Sequence, residues 1–119
     1  MNNSIAHKKT KAFAIRIIKF YKYLTDEKRE FIISKQIMRS GTSIGANTRE
    51  CLNAQSELDF INKLSIALKE ADETAYWLEI LAESEIIDLQ IFNSLSKDLN
   101  EIIALLTSSI KTAKNNINN

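Results

Sequence analysis

Ser40-Gly41-Thr42-Ser43-Ile44-Gly45-Ala46-Asn47 holds both glycines of the chain, four residues apart. The surrounding segment has no proline, and its apolar positions recur with helical spacing. A glycine inside a helix costs about 1 kcal/mol relative to alanine. Gly41 and Gly45 fall on one helical face and leave a strip there without side chains. The spacing predicts that a neighbouring backbone or a bulky side chain fills that strip. The other reading is a loop over Ser40-Gly41-Thr42-Ser43 that divides the segment in two. The apolar positions Ile33, Ile37, Gly41, Ile44, Thr48 and Cys51 keep their phase across the glycines, which favours one helix from about Lys28 to about Ala54.

N-terminal to this helix, Lys8 to Leu24 is amphipathic, with Phe13, Ile17, Phe20 and Leu24 on one stripe and Tyr21 widening it. Lys8, Lys9, Lys11, Arg16, Lys19 and Lys22 gather on the other side, within an arc of about 160° at 100° per residue. Residues 1–7 read as a flexible lead-in, with His7, the only histidine, exposed in it. Thr25-Asp26-Glu27-Lys28 reads as the first turn, with Thr25 or Asp26 as the cap.

C-terminal to the glycines, Gln55-Ser56-Glu57 marks a turn, and Ser56 followed by Asp59 resembles a capping box. A helix over about 57–84 then carries a heptad of alternating large and small residues: Phe60, Leu64, Ala67, Ala71, Thr74, Leu78 and Leu81. Ile66, Trp77 and Ile80 lie beside that stripe and make the apolar surface wider than one intramolecular seam requires. Asp88 is a candidate N-cap for a last helix over about 89–114. That helix shows Phe92, Leu95, Leu99, Ile102, Leu106 and Ile110 on one face, and residues 115–119 read as a disordered asparagine-rich tail. Four amphipathic helices joined by short turns predict an all-α fold, an antiparallel up-down-up-down four-helix bundle over residues 8–114.

The chain has 119 residues, enough for one domain with a core. Sixteen Lys and Arg against fifteen Asp and Glu nearly cancel, so net charge gives no prior for nucleic acid. One cysteine, Cys51, excludes an internal disulfide and a cysteine-based metal cluster, and suits a reducing cytoplasm. Residues 1–11 are polar and basic with no apolar stretch behind them, unlike a signal peptide. No apolar run reaches the roughly 18 residues of a membrane span.

Catalysis finds little support. The Glu-x-x-His pairs of di-iron bundles are absent. Cys51 has no base partner in sequence and reads as a small core residue. Asp72, Glu73 and Glu79 read as a wet helix face. The expectation is a non-enzyme with no cofactor, no metal and no small-molecule substrate. Two polar features remain. Arg39, Ser43, Asn47 and Glu50 share one flank of the second helix, as a phosphate or partner site or as a buried polar network that sets helix register or subunit contact. The six cations of the first helix are candidate nucleic-acid contacts or a solvated face, with nucleic acid the less favoured. Trp77 reads as core or interface. Tyr76, on the polar side with Lys69, Asp72, Glu79 and Glu83, reads as an interface contact or as a ring lying across its own helix.

Met38-Arg39-Ser40-Gly41-Thr42-Ser43-Ile44-Gly45-Ala46-Asn47 with Glu50 resembles the signature of the bacterial "four helix bundle protein" family, first noticed in intervening sequences of 23S ribosomal RNA genes. The likeness continues through Ala54-Gln55-Ser56, Asp59-Phe60-Ile61, the run from Lys63 to Ala71, Glu73-Thr74 and Tyr76-Trp77-Leu78. The resemblance implies a bundle that assembles into a homopentamer. It also implies kinship with the accessory variability protein of diversity-generating retroelements, a basic pentamer that binds nucleic acid and a reverse transcriptase. Cys51 departs from the alanine or glycine usual after the matched glutamate. The near-neutral charge, with acids concentrated from Glu57 to Glu101, departs from the basic relative. The leading expectation is therefore a cytoplasmic, self-assembling structural or interaction module. The alternative is a nucleic-acid-binding accessory protein acting with a reverse transcriptase or ribosomal RNA. Ile66, Tyr76, Trp77 and Ile80 are the candidate contacts between copies.

Overall fold

Each amphipathic segment becomes a helix because its stripe must leave water, and short connections force neighbours to run antiparallel. The computed structural model describes residues 3–118. It has α1 (Asn3–Asp26), α2 (Ile33–Cys51), α3 (Glu57–Glu83) and α4 (Leu89–Asn118), with no strand among the described residues. α2 packs against α1 and α3, α3 packs against α4, and α4 closes on α1 along the sparsest seam. The pairs α1 with α3 and α2 with α4 are diagonal, their backbones farther apart than those of neighbouring helices. The result is an up-down-up-down four-helix bundle with extents of 51 × 21 × 20 Å.

The core is the sum of the four stripes. Phe13, Ile17 and Leu24 from α1 meet Ile37 and Ile44 from α2, Leu64, Leu78 and Leu81 from α3, and Leu99, Ile102 and Leu106 from α4, all buried. Each such side chain contributes about 1.5–3 kcal/mol relative to exposure. Several buried hydroxyls are satisfied locally, while Ser34 Oγ is buried with no partner among the described residues. Thr10 donates to the Ala6 carbonyl, Thr48 to Ile44 and Ser109 to Leu105, each at 2.8 Å. Across the α2–α3 seam, Thr74 Oγ1 hydrogen-bonds Ser40 Oγ at 2.9 Å.

α2 runs through both glycines without a break. A Cβ on Gly41 would stand 2.8 Å from Ile17 Cγ1, and one on Gly45 would stand 3.2 Å from the Thr10 carbonyl oxygen. α1 therefore occupies the strip the glycines leave open: its side chain fills one gap and its backbone the other.

The helix boundaries differ from the sequence reading at the start of α1, the end of α4 and both ends of α2, which stops at Cys51 rather than near Ala54. Residues 3–7 belong to α1 rather than to a flexible lead-in. His7 is half-buried there, with its Nδ1 shielded from solvent, and is not exposed. Residues 115–118 continue α4 rather than forming a tail, while residues 1, 2 and 119 of those two expectations lie outside the described residues. α2 starts at Ile33 rather than near Lys28, because Arg29 turns into the left-handed region at φ 54°. Its cap is neither Thr25 nor Asp26. The Glu30 carboxylate accepts from the N–H groups of Ile33 and Ser34 at 3.1 and 2.7 Å. Such oxygens satisfy donors that the first turn otherwise leaves without partners.

The other caps follow the sequence. Ser56 Oγ accepts from Asp59 N–H at 3.0 Å. Asp88 Oδ1 accepts from Ile91 N–H at 2.9 Å. α3 ends in a Schellman turn, where Ile86 N–H reaches the Leu81 carbonyl at 2.9 Å and Glu85 N–H reaches Ala82 at 3.0 Å. Glu85 holds the left-handed position of that turn at φ 64°.

Candidate functional site

The polar flank of α2 and the widened apolar flank of α3 come together on one face of the bundle. Arg39 joins them. Its Nη1 donates to Glu70 Oε2 at 3.2 Å, and its Nη2 donates to Glu73 Oε2. The same Glu73 oxygen accepts from Trp77 Nε1 at 3.0 Å. Trp77 in turn meets Tyr76 edge to face, with ring centroids 5.0 Å apart. The Trp77 N–H and then the Arg39 guanidinium hold the Glu73 carboxyl below the usual carboxylate range. The Glu73 hydrogen bond correspondingly raises Arg39. Lower on the same face, Lys63 Nζ stands 3.7 Å from Glu50 Oε2.

The polar line is not a buried network. Arg39 and Glu50 do find partners on α3, but they keep 50% and 58% of their side-chain exposure. Ser43 and Asn47 bond their own helix instead of a neighbour. Ser43 Oγ donates to the Arg39 carbonyl at 2.6 Å and Asn47 Nδ2 to the Ser43 carbonyl at 2.9 Å. Ion pairs this exposed contribute roughly 0–1 kcal/mol. The line therefore lies on an outer face, where its groups are open to a partner.

Among the four apolar candidates, Tyr76 is 53% exposed, and Ile66, Trp77 and Ile80 are half-buried. They lie on the flank of α3 beside its buried stripe, where Trp77 packs against the edge of the core and Tyr76 stands in solvent. The missed element is the pair Glu70 and Glu73. The spacing of Glu73 and Trp77, one helical turn apart, was a readable signal. The approach of Arg39 was not.

The six cations of α1 divide. Arg16 Nη1 pairs with Asp98 Oδ2 at 2.6 Å and Lys9 Nζ with Glu101 Oε2 at 3.2 Å, both on α4. Lys8, Lys11, Lys19 and Lys22 are exposed and have no acid partner among the described residues.

Cys51 is buried, and burial pushes its thiol up to about 11, with Asp59 adding to the rise. A thiol so placed stays protonated near neutrality and is a poor nucleophile. It borders an open cleft of about 510 Å³ lined also by Phe60, Ser109 and Ala113. No group of three His, Cys, Asp or Glu side chains able to hold a metal occurs among the described residues. No helix among them is long and apolar enough to cross a membrane.

The sequence profile of the 23S rRNA-intervening sequence proteins matches residues 2–108. The chain belongs to that family. A solved relative in the S23 ribosomal protein family, a protein of unknown function from Bacteroides thetaiotaomicron, is 54% identical. It superimposes with a TM-score of 0.91 over 93% of this chain and 99% of its own. No curated protein matches the chain. The intervening-sequence fold is thus shared with a solved structure nearly end to end. The apolar and polar face built on α2 and α3 is the feature of this member that offers a function.

Proposed function

We propose that this 23S rRNA-intervening sequence protein is a structural or interaction module of the cytoplasm that acts by self-assembly into a homo-oligomeric ring and catalyses no reaction. One observation carries the reading. α3 is apolar on a second flank, where Tyr76 is exposed and Ile66, Trp77 and Ile80 are only half-buried by the chain's own bundle. Aromatic groups partly exposed on a rigid helix are the kind of anchor that interfaces bury. The ring of five copies is the expectation carried by the resemblance to the "four helix bundle protein" family. Light scattering after size exclusion tests it. The expected mass is five times that of the chain, falling toward one copy in Tyr76→Glu. A wild type that stays monomeric at high concentration overturns the reading.

A second reading, binding of RNA or DNA, rests on Lys8, Lys11, Lys19 and Lys22, whose charges find no acid partner among the described residues. A ring would multiply these charges, and phosphate contacts of this kind weaken steeply with salt. Filter binding at low and moderate salt decides it. Retention that is absent, or indifferent to salt, ends it.

A further inference from the structure

The uncovered face of α3 has a complement on the same molecule. At 100° per residue, Lys8, Lys11, Ile15, Ile18, Lys19 and Lys22 fall within about 100° on the side of α1 opposite its buried stripe. This face is basic and apolar together: its four lysines are exposed, and Ile15 and Ile18 keep 48% and 37% exposure. On α3, Asp72, Tyr76, Glu79, Ile80 and Glu83 likewise fall within about 100° on the side away from the core. Asp72, Glu79 and Glu83 are exposed and carry no ion pair among the described residues, and Lys69 at the lower edge is the one cation of that arc.

The heights of the two faces also agree. Ile17 packs on Gly41, and the adjacent Ser40 hydrogen-bonds Thr74, so Ile17 and Thr74 lie near one level of the bundle. α1 and α3 both run upward from there at about 1.5 Å per residue. Lys22 is then level with Glu79, Lys19 with Tyr76, and Ile15 with Asp72. A rotation about an axis parallel to the bundle keeps these levels. Because α1 and α3 are diagonal, their outer faces point to opposite sides of the molecule. A contact between them joins different patches on the two copies, the heterologous type, which closes into a ring where the rotation between copies returns to the first and runs on as an open row where it does not.

We infer that the outer face of α1 in one copy docks on the outer face of α3 in the next, lysines 19 and 22 against Glu79 and its helical neighbours Asp72 and Glu83, with Ile15 and Ile18 against Tyr76. This deepens the self-assembly reading and rests on it. The second copy is the occupant because one surface supplies the charge and apolar area that the other lacks, at the same height.

Charge exchange tests the pairing, with circular dichroism as the check on folding, since all four substituted side chains are exposed. Like charges brought together at an interface disfavour the complex strongly, so Lys19→Glu with Lys22→Glu, or Glu79→Lys with Glu83→Lys, is expected to weaken association about tenfold or more. All four substitutions together are expected to restore the wild-type mass in sedimentation. Oligomers unchanged in every variant overturn the pairing and leave self-assembly standing. Loss in both double variants without restoration in the combination also overturns it. Unchanged mass with loss of salt-sensitive RNA retention in the lysine variant overturns it in favour of a nucleic-acid surface. A monomeric wild type removes both the pairing and the reading beneath it.

Discussion

Ile17 lies so close to Gly41 that a methyl group there would stand 2.8, 3.0 and 3.3 Å from its Cγ1, Cγ2 and Cβ. Ile17 is fully buried and branched at Cβ, so it has no free rotamer into which to retreat. Gly41→Ala gains about 1 kcal/mol of helix propensity. Overpacking of a filled core costs about 1–3 kcal/mol and is expected to outweigh that gain. Thermal melting is expected to show a lower Tm for Gly41→Ala. A raised Tm would mean that α1 slides away freely.

Glu85 is strained by its handedness rather than by its neighbours. The left-handed conformation costs an L residue with a Cβ roughly 1–2 kcal/mol, and glycine adopts it without that cost. Glu85→Gly is therefore expected to stabilise the protein by about 0.5–1 kcal/mol after the added freedom of the unfolded chain is subtracted. Urea denaturation measures this, and a lower midpoint contradicts it.

Glu30 caps a helix from outside its own first turn. Its carboxylate accepts from three backbone N–H groups, those of Ile32, Ile33 and Ser34. Glu30→Ala is expected to lower stability by about 1 kcal/mol, in line with other lost caps. Amide exchange is expected to quicken at Ile33 and Ser34 while the middle of α2 stays protected.

The Glu73 cluster makes stability depend on acid. A carboxyl whose folded pKa lies below its ordinary value of 4.5 stabilises the fold fully above that value. The contribution is lost as the pH falls through the lower folded value. Tm is expected to fall more steeply below pH 4.5 in the wild type than in Glu73→Gln. The single tryptophan, Trp77, should report the same transition by its emission. Equal slopes in the two proteins would contradict the coupling.

Cys51 gives the opposite sign. Its thiol ionises at about 11 in the folded chain, against 9.0 when free. Stability from this group is complete below pH 9 and is lost as the pH rises through 11. Alkylation of the folded protein is expected to be slow at pH 8 and to accelerate only toward pH 11. Fast reaction at pH 8 would show an open, ionised thiol.

Periodicity alone determined most of the bundle. The stripes on the four helices are those of the buried core, because only one face of each amphipathic helix can leave water. The Ser56 and Asp88 caps were legible because a cap is local: donor and acceptor lie three residues apart. Continuity through the glycines was legible because the phase of the stripe survives them.

What only the tertiary structure decided involves contacts between segments distant along the chain. The glycine strip is filled by Ile17 and by the Thr10 backbone, a choice that depends on where α1 crosses α2. Arg39 finds Glu70 and Glu73 on α3, so the polar line lies on an outer face instead of inside. The turns before α2 and after α3 use Arg29 and Glu85 in the left-handed region, where glycine would be the usual signal. The chain's two glycines serve helix packing instead, so its turns carry no such mark in the sequence. Residues 3–7 and 115–118 carry a weak stripe of their own. They extend α1 and α4 because propagation along a helix already formed adds one hydrogen bond per residue.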